Sequence, residues 1–378
     1  MKKIIMITTV PMSLATLVKG QAKYLSNYYE VKLVTSYAAE NKEIAAFEGV
    51  ELKAIDMTRQ ITILKDLIAL MKIFFYILHE KPDVVYTFTP KAGLLGIIAS
   101  FMARVPVRIH NIVGMPLMEA VGKKKTLLMF IEKLTYFFAT DLFCNSFGLK
   151  EYININLTKR EVKVIGQGSI NGVDTEFFRN KTTKDEQINI RNAHGIDEND
   201  FVITFVGRIV KDKGINELVE SFIELNQKYT NLKLLLVGDY EEHLNPIKKE
   251  NKSLMDSSKN IIMVGFQKDI RDFLAISDLF VLPSYREGLP NSLIEAGSFG
   301  IPLLATNING CNEIIVHKKN GILVEKKDKK SLQEGIELLL TDKQLYQKIK
   351  LEVRDDIIHR YDQNYFWKEL KNELETII

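Results

Sequence analysis

The sequence predicts an α/β protein built as two Rossmann-like, doubly wound parallel-sheet domains facing across a cleft. Three observations predict it. At 378 residues the chain exceeds one ordinary core and fits two domains. Short β-rich runs alternate with helical patterns along its length, the mark of βαβ units and a parallel sheet. A turn-rich stretch, "GSINGVDTEFF" from Gly168 to Phe178, interrupts the alternation near the middle, where Gly, Asn and Asp let the chain pass between sheets.

In order, the first series reads as strand "KIIMIT", helix about 17 to 27, "EVKLVTS", helix about 63 to 79, "DVVYTF", helix about 91 to 103, "VRIHNI", helix about 124 to 139, "DLFCNS" and "VKVIGQG". After a polar stretch, "NKTTKDEQINIRNAHGIDEND", the second reads "FVITFVGR", helix about 214 to 229, "LKLLLVGD", helix about 243 to 256, "NIIMVGF", helix about 268 to 276, "LFVLPS", helix about 290 to 297, "IPLLAT", "GILVEK" and a helical tail. The expected domains are residues 1–170 and 171–358, with 359–378 a helix packing back toward the first, "YFWKEL" around Trp367 being its docking stripe. Ligands of such sheets lie at the carboxyl ends of the strands, which predicts an interdomain site.

Composition, 46% hydrophobic and 26% charged, is that of a globular protein and excludes disordered and fibrous classes. Cys144 and Cys311 lie far apart without metal-type spacing, which suggests a reducing, cytoplasmic setting. The start "MKKIIMITTVPM" is too short an apolar run for a leader and reads as a strand. Lys72 and Arg104 break the two most apolar stretches, so no span of a bilayer is expected. Residues 1–180 hold 23 Lys/Arg against 16 Asp/Glu, a net +7, while the remainder is net −4. The basic half predicts an anionic partner or is an ordinary solvated surface; nucleic acid is disfavoured, because zinc-ligand, aromatic RNP-like and Arg-rich patterns are absent.

Two stretches carry chemistry. "GRIVKDKG", Gly207 to Gly214, places Arg208 and Lys213 on a loop entering a helix, where two cations suit a diphosphate or are simply solvated. "SYREGLPNSLIEAGSFGIP", Ser284 to Pro302, sets Glu287 and Glu295 around the start of a helix, with Pro290 suited to its first turn and Gly288 permitting close backbone approach. Free amides there suit a phosphate, Glu287 the sugar of the same ligand, and Glu295 a ribose diol. The competing reading is a dipole-complementing Glu287 and a solvated Glu295.

The ordered set "GRIVKDKG", "VGDYEE", "VGF" and "LPSYREGLPNSLIEAGSFGIPLLAT" resembles the donor domain of glycosyltransferase family 4, retaining enzymes of the GT-B fold. In the first half, "TTVPMSLATLVKGQAKYLS", "DVVYTFTPKAGLLGIIAS", "VPVRIHNIVGMP" and "GQGSINGVDTEFF" are similar to the branch that builds bacterial capsule and O-antigen on a lipid carrier. The resemblance implies a clamp of Arg208 and Lys213 on the diphosphate, with Glu287 on donor-sugar hydroxyls. It implies a ribose ligand in Glu295 and a donor cradle of Gly207, Gly288, Leu289, Pro290 and Asn291. No metal or other cofactor is implied.

The first half departs from the family pattern in two places. A usual Gly-Gly pair is replaced by "VPMSLATL", which leaves Ser13 to fill that role. A usual histidine is replaced by Val113 before Gly114, so His110 either substitutes catalytically or faces the core as a strand residue. Lys91 binds an acceptor phosphate or is an exposed first-turn lysine; with Ser13 and Gly114 it makes up the expected acceptor set. "GKKKTLLMFIEKLTYFFAT" joins Lys123, Lys124 and Lys125 to an apolar helix, which is either an interfacial membrane helix or a core helix with a solvated start.

The expectation is transfer of an N-acetylated hexose or deoxyhexose from a UDP-linked donor to a sugar on undecaprenyl diphosphate, by an enzyme peripheral on the inner face of the plasma membrane. The alternatives are a non-hydrolysing sugar-nucleotide epimerase and a non-enzymatic sugar-nucleotide-binding or scaffold protein of envelope assembly.

Overall fold

The computed structural model describes residues 1–58, 60, 62–113, 115–241 and 245–378. The chain divides into two compact units, Met1–Gly172 with Gln363–Ile378, and Val173–Asp362. The first runs β1 (Lys3–Ile7), α1 (Pro11–Thr16), α2 (Gln21–Leu25), β2 (Glu30–Thr35), α3 (Asn41–Glu48), β3 (Glu51–Ala54), α4 (Ile63–Glu80), β4 (Val84–Phe88), α5 (Pro90–Met102), β5 (Val107–Ile112), α6 (Gly122–Phe138), β6 (Asp141–Cys144), α7 (Phe147–Asn156) and β7 (Lys163–Val164). Its strands lie in the order β3-β2-β1-β4-β5-β6-β7, with Ile5 of β1 opposite Lys32 on one side and Val85 on the other in parallel register.

β1 and β4 are apolar nearly throughout because helices cover both faces of the sheet. One face packs against α4 and α5 through Ala69, Ile73, Ile77 and Ala92. The other packs against α1 and α2 through Leu14, Ala22 and Leu25.

The second unit runs α8 (Lys184–Ala193), β8 (Phe201–Val206), α9 (Ile215–Lys228), β9 (Leu232–Val237), α10 (Lys249–Ser257), β10 (Ile261–Met263), α11 (Arg271–Ala275), β11 (Leu279–Leu282), α12 (Asn291–Ser298), β12 (Leu303–Thr306), α13 (Cys311–Ile314), β13 (Gly321–Val324), α14 (Lys329–Thr341) and α15 (Lys343–Tyr361). Its sheet is parallel in the order β10-β9-β8-β11-β12-β13. Cys144 and Cys311 are both buried and are not joined in a disulfide.

The last helix, α16 (Gln363–Ile377), belongs to the first unit. Phe366, Leu370 and Leu374 are buried there. Trp367 stacks on Tyr24 with ring centroids 5.1 Å apart, and its indole N–H donates to Asn171 Oδ1 at 2.7 Å.

Several elements differ from the pattern reading. The helix expected over 17 to 27 is shorter, α2 over Gln21–Leu25, because Gly20 at its N-cap takes the left-handed φ 80, and α1 (Pro11–Thr16) precedes the expected range as a separate helix. α3, β3, α7, α8 and α13 were not anticipated. α8 lies inside the polar stretch and forms on a capping box, with Thr183 accepting from the Glu186 amide and Glu186 accepting from the Thr183 amide.

Candidate active site

In the second unit the strand order reverses between β8 and β11, and the two motif loops follow those strands. They therefore stand side by side at the carboxyl end of the sheet, where open α/β sheets bind ligands. The loops are tied to each other. The Tyr285 amide donates to the Asp212 carbonyl at 2.9 Å, and Arg286 pairs with Asp212 at 3.1 Å. Lys213 pairs with Glu287 at 2.6 Å, both side chains largely shielded at 20% and 12% exposure. Gly214 turns left-handed at φ 72 and lies so close to the other loop that a Cβ would stand 2.0 Å from the Pro283 carbonyl oxygen.

The structure thus joins two of the sequence-derived candidates directly. Arg208 stands apart from that pair. Its guanidinium, half exposed, donates through one nitrogen to Glu241 at 2.8 Å, so a diphosphate reaching Arg208 would share it with that carboxylate or replace it. Gly207 directly follows β8, its amide donating to the Val237 carbonyl at 2.9 Å.

α12 begins beside this pair. Pro290 is its N-cap, without a side-chain cap, and the amides of Asn291 and Ser292 have no acceptor among the described residues. Both residues are part-exposed, whereas Leu289 and Pro290 are buried. The arrangement offers the positive end of a helix to an anion. Gly288 is held from behind, its carbonyl accepting from Asn309 Nδ2 at 3.2 Å and backing onto Gly310.

Glu295 lies one turn into α12, partly exposed as a residue, and its carboxylate accepts no hydrogen bond among the described residues. Burial of the carboxyl alone pushes it up to about 7. A carboxyl that ionises near 4.5 when unfolded and near 7 when folded keeps its proton longer in the folded state, so its contribution to stability falls as pH rises between those values. Glu295→Gln is accordingly expected to melt progressively higher than wild type from pH 5 to pH 8. A melting difference that stays constant over that range would reject the buried carboxyl.

Sequence reasoning did not single out Tyr285, Asp212, Arg286, Glu217, Glu241 or Asn309. Tyr285 donates through its hydroxyl to Glu217 at 2.7 Å, which fixes the loop that carries Glu287. The only sequence signal for the Asn309 support was the Asn-Gly dipeptide of "NING" following a strand.

In the first unit the order reverses between β1 and β4. Thr9 and Thr89 meet there, their hydroxyls 2.7 Å apart, and Thr89 holds the left-handed φ 72 that a β-branched residue seldom takes. Ser13 is buried in the first turn of α1 nearby in sequence, 9% exposed. Lys91 is not an exposed first-turn lysine: its side chain is 10% exposed and pairs with Asp66 of α4 at 2.7 Å, with Gln60 O and Thr58 Oγ1 completing its bonds. An acceptor phosphate would have to displace Asp66.

His110 sits on β5 in the core at 2% exposure, its Nδ1 3.0 Å from Thr87 Oγ1. Its ring occupies the space left by Gly93 of α5, where a Cβ would lie 2.2 Å from the ring. Burial lowers its pKa to about 4, so it is a neutral core side chain at physiological pH. Gly114, the remaining acceptor candidate, lies outside the described residues. Lys123, Lys124 and Lys125 are exposed on the first turn of α6.

Two doubly wound units, one of them carrying Lys213, Arg208 and helix amides without acceptors among the described residues beside its switch point, are the architecture of GT-B enzymes. A family model described as "Glycosyl transferases group 1" matches residues 186–356, and one described as "Glycosyl transferase 4-like" matches residues 7–146. The chain is 34% identical to the capsular polysaccharide biosynthesis glycosyltransferase CapM of Staphylococcus aureus, covering 100% of this chain and 98% of that protein. It is 32% identical to the UDP-Gal:alpha-D-GlcNAc-diphosphoundecaprenol alpha-1,3-galactosyltransferase of Escherichia coli, over 76% of this chain and 74% of that one. The fold matches Anabaena Alr3699/HepE, solved with UDP and glucose, at TM-score 0.83 and 20% identity with 100% of both chains covered. The chain belongs to the group 1, family-4-like glycosyltransferases.

Proposed function

We propose that this glycosyltransferase acts in capsule or related surface-polysaccharide biosynthesis, moving an N-acetylated hexose or deoxyhexose from a UDP-linked donor to a sugar on a lipid diphosphate carrier, with retention of anomeric configuration. The observation that carries this reading is the Lys213–Glu287 pair beside the free amides of α12. Departure of a nucleoside diphosphate builds negative charge on its phosphates, and fixed positive groups stabilise that charge most in the transition state. In this reading the amides of Asn291 and Ser292, Lys213 and Arg208 meet the diphosphate, so no metal ion is required. Glu287 keeps the Lys213 ammonium in place and turns its free oxygen to the sugar; Glu295 takes the ribose diol.

The lipid-linked acceptor is supported by the likeness to the Escherichia coli enzyme, whose name specifies a diphosphoundecaprenol substrate. The N-acetylated choice has a parallel in a 29% identical Campylobacter jejuni relative named as an N-acetylgalactosaminyltransferase. Because the acceptor would sit in a bilayer, the exposed Lys123, Lys124 and Lys125 are assigned to its anionic surface, at the inner face of the plasma membrane.

Incubation with a panel of nucleotide sugars and short-chain lipid diphosphate sugars, read by mass, tests the reaction. One new glycosylated lipid from one donor is expected, and donor hydrolysis without transfer would reject the acceptor class. For the ribose role, Glu295→Ala is expected to weaken UDP binding at least tenfold in calorimetry while turnover at saturating donor falls much less. Equal UDP affinity in the two proteins would remove Glu295 from the nucleotide site.

A further inference from the structure

We infer that the outer face of α4 and α6 seats the first unit on an anionic bilayer, with α4 supplying the apolar side chains that enter the lipid and lysines of both helices meeting the headgroups. The inference rests on the reading of a lipid-borne acceptor and adds the element that makes contact. A helix on the surface of a globular unit normally buries one stripe and turns a polar face to water. α4 buries its stripe, Ala69, Ile73 and Ile77, against the sheet. Its opposite face is apolar as well: Ile63, Leu64, Leu67, Ile68, Phe75 and Leu78 are all exposed, Ile63 by 81% and Phe75 by 61%. So many large apolar side chains on one exposed helix face mark an interaction surface.

The charges on that surface have one sign. Lys65 and Lys72 are exposed on α4, and Lys123, Lys124, Lys125 and Lys133 on α6. The carboxylates of α4 are engaged elsewhere, Asp66 by Lys91 and Glu80 by Lys3 and Lys32. Glu132 of α6 is buried. Among the described residues of the two helices, no carboxylate is exposed to offset the lysines. α5 packs against both helices and is itself mostly buried, so α4 and α6 flank it in one layer. Phe130 and Phe137 continue the exposed apolar surface along α6.

This combination selects the occupant. A second copy of the chain meeting the same face by two-fold symmetry would set lysines against lysines. An anionic bilayer accepts both features, phosphates for the ammonium groups and acyl chains for the leucines and phenylalanines. No helix among the described residues is long and apolar enough to cross a membrane, so α4 would lie in the interface plane.

The test uses the full chain and two vesicle types, phosphatidylglycerol-containing and pure phosphatidylcholine, at low and high salt. Wild type is expected to co-sediment with the anionic vesicles. Leu67→Glu/Phe75→Glu, at exposed positions that leave the core untouched, is expected to bind them at least tenfold more weakly at both salt concentrations. The triple Lys123, Lys124, Lys125→Glu variant is expected to lose binding chiefly at low salt. Because Cys144 and Cys311 are buried, an environment-sensitive dye on Leu67→Cys reports entry into lipid by a blue shift. Undiminished vesicle binding by the double variant overturns the inference, as does a wild type that ignores anionic vesicles at low salt. So does a wild-type dimer in solution that the double variant splits, which would make the face an interface between copies. Transfer to a soluble short-chain acceptor separates the two readings: the double variant should retain it, and its absence from wild type would reject the reaction whatever the vesicles show.

Discussion

Lys213→Ala is expected to lower turnover by about 100-fold or more while the fold persists. Lys213 is the better shielded of the two candidate cations, 20% exposed against 49% for Arg208, and shielding from water is what makes a fixed charge effective at a developing anion. Its removal takes away one positive group and leaves Glu287, 12% exposed, without its cation beside the expected diphosphate. Attraction to the leaving group is lost and a repulsion is added. Steady-state kinetics with the cognate donor and acceptor measure the loss, and a cooperative thermal melt, lowered by the unpaired Glu287, shows that the fold has survived. Turnover within a few-fold of wild type would remove Lys213 from the chemistry and leave the pair as a tie between two loops.

Gly214→Ala is expected to destabilise the second unit by about 2–4 kcal/mol and to cut activity with it, combining left-handed strain with a steric clash. The new methyl would lie 2.0 Å from the carbonyl oxygen of Pro283, a backbone atom that cannot rotate away as a side chain can. The contact is the point at which the loop after β8 rests on the loop after β11. Relief of the clash therefore moves Asp212 and Lys213 away from Tyr285, Arg286 and Glu287. Gly195→Ala is the internal control, because Gly195 also has a left-handed φ, +65, with nothing within 4 Å of the added carbon. The difference in unfolding free energy between the two variants isolates the clash, and equal losses would show that the loops are not in contact there.

Strands buried on both faces announce themselves as short apolar runs, which is why "KIIMIT", "FVITFV" and "LFVL" were readable without a partner sequence. The motif loops were readable because two cations and two glutamates follow strands that the pattern had already placed. What sits behind those residues was not. Asn309 reaches Glu287 and Gly288 from a loop after β12, some twenty residues away. Asp66 finds Lys91 from the preceding helix, and Gly93 determines the burial of His110 from a neighbouring element. These are tertiary partnerships between side chains of ordinary type, and no local spacing encodes them. The short helices α3, α7 and α13 were missed for a related reason, since runs of ten residues or fewer carry too few turns for a clear period.

The assignment of α16 to the first unit has a bearing on how the protein is made. Trp367 covers Gly20 and stacks on Tyr24, so residues separated by well over three hundred positions complete one core. A ribosome delivers the early strands long before it delivers α16, and throughout that interval Leu14, Ala22 and Leu25 lack the cover of Phe366, Leu370 and Leu374. The second unit, continuous from Val173 to Asp362, emerges in one piece and has no such wait. Chains released after residue 362 should thus expose a protease-sensitive, chaperone-binding first half and a resistant second half.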